Sequence, residues 1–418
     1  MKKTLMLIMT VVIALFFLQG CGEKEVVTKI VEKEREPQVY KLGTSIAITG
    51  PTSDVGSPYS KGIEDYVRYV NDEKLLGADT LEVFIRDDAY KTEATKRNFE
   101  EFLDQGIVVY LNYSTGSTLA LKQDFEEEKI PVIPASFHAG NLVDSNYIFL
   151  PIVSYSSQAI GLAEYVVAHH KGPEKPKVAM FIHPSAFGRG PVEDLRKAAA
   201  AGLPIEIIEV VEHGKDLDNT AMLKRLMSKN VQYVICHTVQ PPVATMLKGA
   251  QSLGLAAKVY GQAGKLTFLG CHYSGGPDLI ALAGSDAEGF NWTTSYRLTT
   301  AKGEGTNAQL ALAKRYSRDE KLANSQNYTN GIQVTQIAVE AIRRAKARGL
   351  DITRQTVHEE LLAMNGYNSY YPLTTVGPVS FSAQDREGVD SMQLYRAEGG
   401  IFKEVGAPFA SEYVNMIK

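Results

Sequence analysis

Apolar runs and amphipathic stretches alternate along the chain from residue 40 onward. The run 40–48 has the apolar, β-branched character of a strand, and a helical face follows it at Ile63, Tyr66, Val67 and Val70. The alternation then predicts strands at 81–85, 107–111 and 130–133, and helices at 92–103 and 117–128. Strands separated by helices in this way are typical of a parallel sheet.

A second series of the same kind begins after Pro151. It predicts strands at 178–182, 205–211 and 231–236, and helices at 157–169, 191–201, 220–228 and 243–253. Two such units in tandem predict an α/β fold of two doubly wound, Rossmann-like lobes, and 418 residues are too many for one compact core. We expect the ligand cleft between the lobes, at the carboxyl ends of the strands.

The first 21 residues follow a different pattern. Lys2 and Lys3 precede an uncharged run at 4–20 that ends in Gly20, before Cys21. The run has about the length of a signal-peptide core and is slightly short of the roughly 20 residues that span a bilayer. We predict a lipoprotein-type signal peptide at 1–20 and lipid attachment at Cys21, which would anchor an exported protein in the periplasm or at the outer cell surface. A retained membrane anchor is the alternative.

Charge and cysteine content narrow the function further. Residues 21–39 carry many charges of both signs and no aromatic residue, so we predict a solvated tether, with a short helix as the alternative. The chain has 44 basic against 48 acidic residues and no basic stripe, which excludes nucleic acid as a partner. Cys236 and Cys271 either pair or are separate buried thiols.

Polar residues follow two of the predicted strands. The segment 49–56 follows the first strand with turn residues and hydroxyls, and the segment 112–118 follows the third and opens a helix. Ser114, Thr115 and Ser117, together with the N–H groups of that helix start, predict a site for a carboxylate. Simple helix capping by these side chains is the alternative.

Five short motifs stand in one order along the chain. They are Thr49-Gly-Pro-Thr-Ser-Asp-Val-Gly56, Asp87-Asp88, Ile130-Pro-Val-Ile-Pro-Ala-Ser136, Ala186-Phe-Gly188 and Val376-Gly-Pro-Val-Ser-Phe381. Their order and spacing resemble the branched-chain amino acid (leucine, isoleucine and valine) type of solute-binding proteins that serve ABC importers. The resemblance implies a type 1 periplasmic binding protein fold with three hinge crossings, in which 40–153 plus 295–376 form lobe one and 154–294 plus 377–418 form lobe two.

The resemblance also implies the ligand site. A ligand carboxylate would be held by Ser114 to Ser117 and by the turn of Ala135, Ser136 and Phe137, and lobe two would close with Phe187, Val239 and Ala263. Val55 of the first motif, Gln262 and Tyr328 complete the candidate ligand-binding residues. The resemblance implies a monomer that hands a captured ligand to a membrane permease, without catalysis, cofactor or metal.

Departures from the family pattern bear on the ligand. Amino acid binders of the family commonly carry an acid for the ligand's ammonium in the loop that here holds Gln262 and Ala263, and burying an unpaired ammonium is costly. Phe137 and Phe187 stand where threonine and tyrosine are common in the family. We therefore expect an apolar or aromatic carboxylate; Asp54 or Asp286 would restore a branched-chain amino acid if folding brings either to the cleft.

Other function classes find less support. His169 and His170 have no ligand partner at helical spacing, so zinc is not predicted, whereas His183 and His237 follow strands and are either ligand contacts or ordinary loop residues. No nucleophile elbow, phosphate loop or zinc-protease motif is found. A sensor that signals through the same closed lobes is the alternative to import.

Overall fold

The first part of the chain builds one parallel sheet and its helices. The computed structural model describes residues 36–214, 218–301, 303–367 and 374–414. The first elements are β1 (Val39–Ile46), α1 (Ser53–Asp72), β2 (Thr80–Asp87), α2 (Thr92–Asp104), β3 (Val109–Tyr110), α3 (Thr115–Ala120) and α4 (Lys122–Glu127). The strand order is β2-β1-β3, with all pairs parallel. The predicted alternation of strands and helices is confirmed here.

Two details of this sheet differ from the sequence-based expectation. The predicted helix 117–128 is two short helices, because the backbone leaves the helical region at Leu121, between α3 and α4. The predicted strand 130–133 contributes an isolated parallel bridge from Val132 to Tyr110 and another from Val132 to Ile148. A further bridge joins Leu150 to Glu387, so the sheet continues beyond β3 through single bridges.

The second series builds a larger sheet. Its elements are α5 (Tyr155–His169), β4 (Lys177–Ile182), α6 (Ala186–Ala200), β5 (Glu206–Glu212), α7 (Thr220–Ser228), β6 (Tyr233–His237), α8 (Gln240–Ser252), β7 (Thr267–Gly270), α9 (Pro277–Ala283) and β8 (Asn291–Thr294). Cys236 and Cys271, at the ends of β6 and β7, are buried free thiols. The structure therefore agrees with the alternative of two separate buried thiols.

The remaining elements return to the first sheet and then to the second. They are α10 (Glu304–Arg315), α11 (Glu320–Asn324), α12 (Gln326–Ala347), α13 (Arg354–Leu362), β9 (Met392–Glu398) and β10 (Ile401–Phe409). The second sheet has the order β10-β9-β8-β7-β6-β4-β5, with β9 antiparallel to both of its neighbours. The molecule thus has two Rossmann-like lobes, as predicted.

Lobe one is held together by close packing of α12 on α1. A side chain at Gly62 would run into the backbone of Tyr328, and one at Gly331 would run into the carbonyl of Tyr59. Glycine at both positions lets the two helix backbones approach directly. The buried hydroxyl of Tyr328 finds its hydrogen-bond partner inside the lobe, since it donates to Asp65 at 2.9 Å.

Residues beyond the predicted third crossing at 376–377 still contact lobe one. Phe381 packs on Phe149 of lobe one, with ring centroids 5.3 Å apart. Leu150 N–H also donates to the carbonyl of Arg386 at 2.8 Å. These contacts favour a crossing after residue 386.

The N-terminal predictions fall outside this description. The signal peptide 1–20, Cys21 and most of the tether 21–39 lie outside the described residues. Within the described part of the chain, the helices are too short or too polar to cross a membrane.

Candidate ligand-binding site

A cavity with a free volume of about 20 Å³ lies between the two lobes, at the carboxyl ends of their strands. Its lining residues are Thr52, Val55, Tyr90, Tyr113, Ser114, Thr115 and Ala135 from lobe one, and Tyr155, Phe187, Val239 and Tyr273 from lobe two. The lining combines apolar side chains with the hydroxyl groups of serine, threonine and tyrosine. All of the lining residues except Tyr90 are buried. The lobes therefore stand closed around the cavity.

The lobe-one side of the cavity carries a group of paired hydroxyls. This hydroxyl wall consists of Ser114, Thr115, Ser117 and Ser136, and it follows β3 and the bridge at Val132. Ser114 caps α3, with its Oγ accepting from the N–H of Ser117 at 3.2 Å and lying 2.7 Å from Ser117 Oγ. Thr115 Oγ1 lies 2.8 Å from Ser136 Oγ.

These pairings leave donor capacity for a ligand. When Ser117 donates to Ser114 Oγ, which also accepts from the backbone, the proton of Ser114 remains free to point into the cavity. Ser136 Oγ accepts from Asn141 Nδ2 at 3.2 Å, which fixes this side chain behind Thr115. The hydroxyl wall can therefore donate to an anionic group such as a carboxylate without moving.

The lobe-two side of the cavity is formed by aromatic rings. This ring wall consists of Tyr155 at the start of α5, Phe187 at the start of α6 and Tyr273 in the turn after β7. The ring centroids of Tyr155 and Phe187 are 5.3 Å apart, those of Phe187 and Tyr273 5.8 Å, and those of Tyr155 and Tyr273 6.4 Å. The ring planes meet at 63° to 81°, so the rings are steeply tilted against one another.

His237 holds Phe187 in the ring wall. Its Nε2 donates to the carbonyl of Phe187 at 3.0 Å, and its ring lies 4.5 Å from the rings of both Phe187 and Tyr155. Burial lowers the pKa of His237 to about 3, so the imidazole is neutral at physiological pH. His237 therefore supports the ring wall from behind and adds no charge.

Two tyrosine hydroxyls join the two sides directly, and that of Tyr155 donates to the carbonyl of Ala135 at 3.4 Å. The Tyr273 hydroxyl donates to the carbonyl of Ala135 in lobe one at 2.7 Å and accepts from Asn330 Nδ2 at 2.8 Å. Asn330 in turn accepts from the Tyr296 hydroxyl at 2.9 Å. These bonds stabilise the closed arrangement through protein groups alone.

Within the described residues, no side chain that lines the cavity is charged. Burial raises the pKa of Tyr113, Tyr155 and Tyr273, and that of Tyr90 to about 12, so all four phenols stay protonated. The cavity thus offers hydroxyl donors, phenol oxygens and ring faces to a ligand, but no ion pair.

The structure brings most of the predicted site residues together. Those that line the cavity are Val55, Ser114, Thr115, Ala135, Phe187 and Val239. Ser117 and Ser136 stand directly behind the lining hydroxyls. Phe137 lies one layer deeper, stacked on Tyr273 with ring centroids 5.7 Å apart and planes 10° apart. Phe137 therefore supports the ring wall rather than facing a ligand.

Three predicted residues do not reach the cavity. Tyr328 is buried between α12 and α1, where its hydroxyl is bound to Asp65. Gln262 and Ala263 are exposed on the loop that precedes β7, at the amino end of that strand, and Gln262 accepts from the Lys258 N–H at 3.2 Å. The loop that reaches the cavity is the one after β7, where Tyr273 lies.

The loop after β7 is the place to look for an acid that could pair with a ligand's ammonium. Residues 271–276 read Cys-His-Tyr-Ser-Gly-Gly and contain no carboxylate. Asp286, in a 3-10 turn at 284–287, does not line the cavity. Asp54 lies next to Val55 but in a separate groove at the rim, together with Asp278. Asp54 is exposed at the rim, but desolvation by the protein around its carboxylate, followed by the charge of Asp278, raises its pKa to about 6.

Five lining residues were missed from the sequence: Thr52, Tyr90, Tyr113, Tyr155 and Tyr273. Tyr273 follows β7, a strand of four residues that periodicity did not reveal. Tyr155 opens α5, two residues before the predicted helix start. The signal that could have found them is their position directly after a strand or a lobe crossing.

Metal binding finds no support in the described part of the chain. No group of three histidine, cysteine, aspartate or glutamate side chains there is arranged to hold an ion. His183 bonds to Ser185 at 2.8 Å, and burial lowers its pKa to about 4. Neither His183 nor His237 lines the cavity, so the structure does not support the alternative that they contact the ligand.

Comparison with known proteins agrees with this geometry. A family model described as periplasmic binding protein matches residues 39–401. The leucine-specific-binding protein of Salmonella typhimurium is 22% identical over 362 residues, which cover 85% of this chain and 88% of that protein. A Pseudomonas aeruginosa protein that binds leucine, isoleucine, valine, threonine and alanine is 22% identical, over 60% of this chain and 64% of its own length.

Solved structures give the same result. A branched-chain amino acid ABC transporter protein from Thermus thermophilus, with bound valine, has a TM-score of 0.85 and 43% identity, covering 91% of this chain and 99% of that chain. A solute-binding protein from R. palustris in complex with 4-hydroxybenzoate has a TM-score of 0.73 and 18% identity, covering 90% and 98%. Proteins of this kind bind solutes for ABC transporters and are not enzymes. The chain belongs to the periplasmic binding protein family.

Proposed function

We propose that this protein captures a small branched-chain aliphatic amino acid between its lobes and presents the closed form to an ABC permease. The observation that carries the proposal is the closed cavity, with the hydroxyl wall on one side and the ring wall on the other. A zwitterion with a short apolar side chain has a group for each of these surfaces.

The free space left in the closed cavity is small. Its volume of about 20 Å³ has room for about one or two water molecules, so the lobes must move apart to admit a ligand. The choice of a branched-chain amino acid is supported by the Thermus thermophilus relative with bound valine.

Each part of such a ligand has a partner in the cavity. The carboxylate accepts from Ser114 and Thr115, hydrogen bonds that are strengthened by its charge. The aliphatic side chain packs against Val55 and Val239 at the two lobes. Closure then brings Tyr273 to Ala135, so a ligand that bridges the lobes shifts the population toward the closed form.

A second candidate is an apolar or aromatic carboxylate without an ammonium group. It is favoured by one observation: within the described residues, no lining side chain is charged. A ligand of this kind would avoid the cost of burying an ammonium without an acid. The same hydroxyl wall would hold its carboxylate.

Binding to a matched ligand panel tests the choice. L-Valine, 2-hydroxy-3-methylbutanoate and 4-hydroxybenzoate share a carboxylate and differ in the ammonium and the body of the molecule. Thermal stabilisation by valine, by about 2.7 kcal/mol at 100 times the dissociation constant, supports the amino acid. Stabilisation by 4-hydroxybenzoate or the hydroxy acid, with none by valine, supports the second candidate and overturns the first.

Export and anchoring belong to the same proposal. A lipid on Cys21 would keep the binding protein beside its permease, with residues 22–39 as the tether. Mass spectrometry of the membrane fraction checks this, since an unmodified Cys21 contradicts it. The protein is expected to act as a monomer, and delivery of labelled ligand into vesicles carrying the permease distinguishes import from a sensor role.

A further inference from the structure

The ring wall places three aromatic side chains close together on the lobe-two side of the cavity. Tyr155, Phe187 and Tyr273 all line the cavity, and their planes meet at 63° to 81°. With centroids 5.3 to 6.4 Å apart, a single cation can lie within about 6 Å of all three. That is the range in which ring faces attract ammonium groups, since each face carries the negative part of the ring quadrupole.

Because no charged side chain among the described residues lines the cavity, the aromatic rings are the remaining partner for a ligand's ammonium. A buried ammonium needs compensation, and the described lining residues include no carboxylate. Tyr155 and Tyr273 are protonated phenols and His237 is neutral, so the wall adds no charge of either sign. A zwitterion also brings its own carboxylate to the neighbouring hydroxyl wall, which reduces the cost of burying its ammonium.

We infer that Tyr155, Phe187 and Tyr273 hold the ammonium of the ligand on their ring faces, in place of a carboxylate partner. The inference rests on the proposed function, because it requires a ligand with an ammonium group. Ring faces need no N–H donor from the ligand, so the site accepts N-methylated amino acids as well as primary ones.

Asp54 is the alternative partner for the ammonium. It lies at the amino end of α1, beside Val55, but it faces the rim groove that also contains Lys61, Asp278 and Lys321. Asp54 is exposed there and does not line the cavity. Asp54→Asn is therefore a matched control, because it removes the carboxylate that neighbours the lining residue Val55 in sequence and leaves the ring wall unchanged.

A selectivity ratio tests the inference in the full chain. Isothermal titration in detergent solution gives the affinity for L-valine divided by that for 2-hydroxy-3-methylbutanoate, its analogue without the ammonium. The ratio should fall by about tenfold or more in Tyr155→Leu and stay within about twofold in Tyr155→Phe, which keeps the ring. It should also stay within about twofold in Asp54→Asn. Each ratio compares two ligands on one variant, so a general loss of stability cancels.

N-methylation gives an independent measurement. N-Methyl-L-valine should bind within about tenfold of L-valine, because the charge is retained while one donor is lost. Three outcomes would overturn the ring site while the amino acid function stands. The selectivity ratio could collapse in Asp54→Asn, or it could be unchanged in Tyr155→Leu. N-methylation could also weaken binding by more than about a hundredfold. A parent chain that binds the hydroxy acid and rejects valine overturns both.

Discussion

The two sides of the cavity are built by opposite means. The hydroxyl wall consists of short side chains that are fixed in pairs by hydrogen bonds within lobe one. The ring wall consists of large side chains that are fixed by packing on one another and on His237 of lobe two, and also on Phe137 of lobe one. The hydroxyl wall is therefore ordered within its own lobe, whereas the ring wall gains part of its support when the lobes close.

This difference separates two kinds of recognition. Hydrogen bonds from hydroxyls are directional and select a group that accepts them, whereas ring faces select shape, apolar area and positive charge with less directional demand. If the proposed ligand docks first on lobe one, the hydroxyl wall would select its carboxylate, and the ring wall would then select the rest of the molecule. Substitutions on the two sides should consequently change different ligand properties.

The largest effect is expected from the ring wall. Phe187→Ala should weaken valine binding by about 3 kcal/mol, since it removes a buried ring that faces both Tyr155 and the ligand. Titration calorimetry measures the loss. Phe402→Ala, in the core of lobe two, is the control and should lower thermal stability with little change in affinity. An unchanged affinity in Phe187→Ala would return this ring to a packing role.

The hydroxyl wall should give a smaller and more selective effect. Ser114→Ala should cost about 1.5 kcal/mol in the binding of valine, because one hydrogen bond to a charged group is lost, and almost nothing for valinamide. Ser154→Ala is a closely matched control: Ser154 caps α5 with its Oγ 3.2 Å from the N of Ser157 and 2.8 Å from its Oγ. Equal losses of affinity in both variants would show that capping, and not ligand contact, explains Ser114.

The bond between the two sides should contribute less again. Tyr273→Phe keeps the ring and loses the hydrogen bonds to Ala135 and from Asn330, so affinity should fall by about 1 kcal/mol, mainly through a faster dissociation rate. Stopped-flow measurement of ligand release checks this. Tyr40→Phe, whose hydroxyl bonds to Asp79 within lobe one, should leave the release rate unchanged. A slower release in Tyr273→Phe would contradict the bridging role.

The smallest effect is expected at the rim, where Asp54 faces Asp278, Lys61 and Lys321. The pKa of Asp54 is raised from 3.8 to about 6, so the folded protein holds this proton more tightly than the unfolded chain does. The stabilising contribution of the protonated form is complete below about pH 4 and is lost as the pH rises through 6. Asp54→Asn should therefore gain thermal stability relative to the parent between pH 4 and 7.

The difference in melting temperature between Asp54→Asn and the parent isolates this group from other titrating residues. The difference should grow with pH and level off above about pH 7. A difference that is constant over the whole range would mean that Asp54 titrates alike in the folded and unfolded chain.

Much of this architecture follows from sequence patterns. The alternation of apolar strands and amphipathic helices predicts two parallel sheets, because such strands must be buried on both faces. The position of Ser114 and Thr115 after a predicted strand likewise places the hydroxyl wall at the cleft. These features depend on local residue order, which the sequence shows directly.

The ring wall depends on features that local order does not show. β7 is only four residues long, Thr267–Gly270, and a run of that length has no periodicity to distinguish strand from loop. Without that strand, the resemblance to the family places the ligand loop at Gln262, before β7, whereas the loop that reaches the cavity holds Tyr273, after β7. Phe137 and Phe187 were both expected to face the ligand, and only packing depth separates them.

The hydrogen bond from Tyr273 to Ala135 affects how the protein would dock on a membrane permease. Because it joins two protein groups, it favours closure with or without cargo, by about fivefold if it contributes 1 kcal/mol. A permease that senses only the outer shape of the closed lobes would then also dock unloaded copies. Transport per docking event therefore depends on how far the ligand's own contacts raise closure above this background.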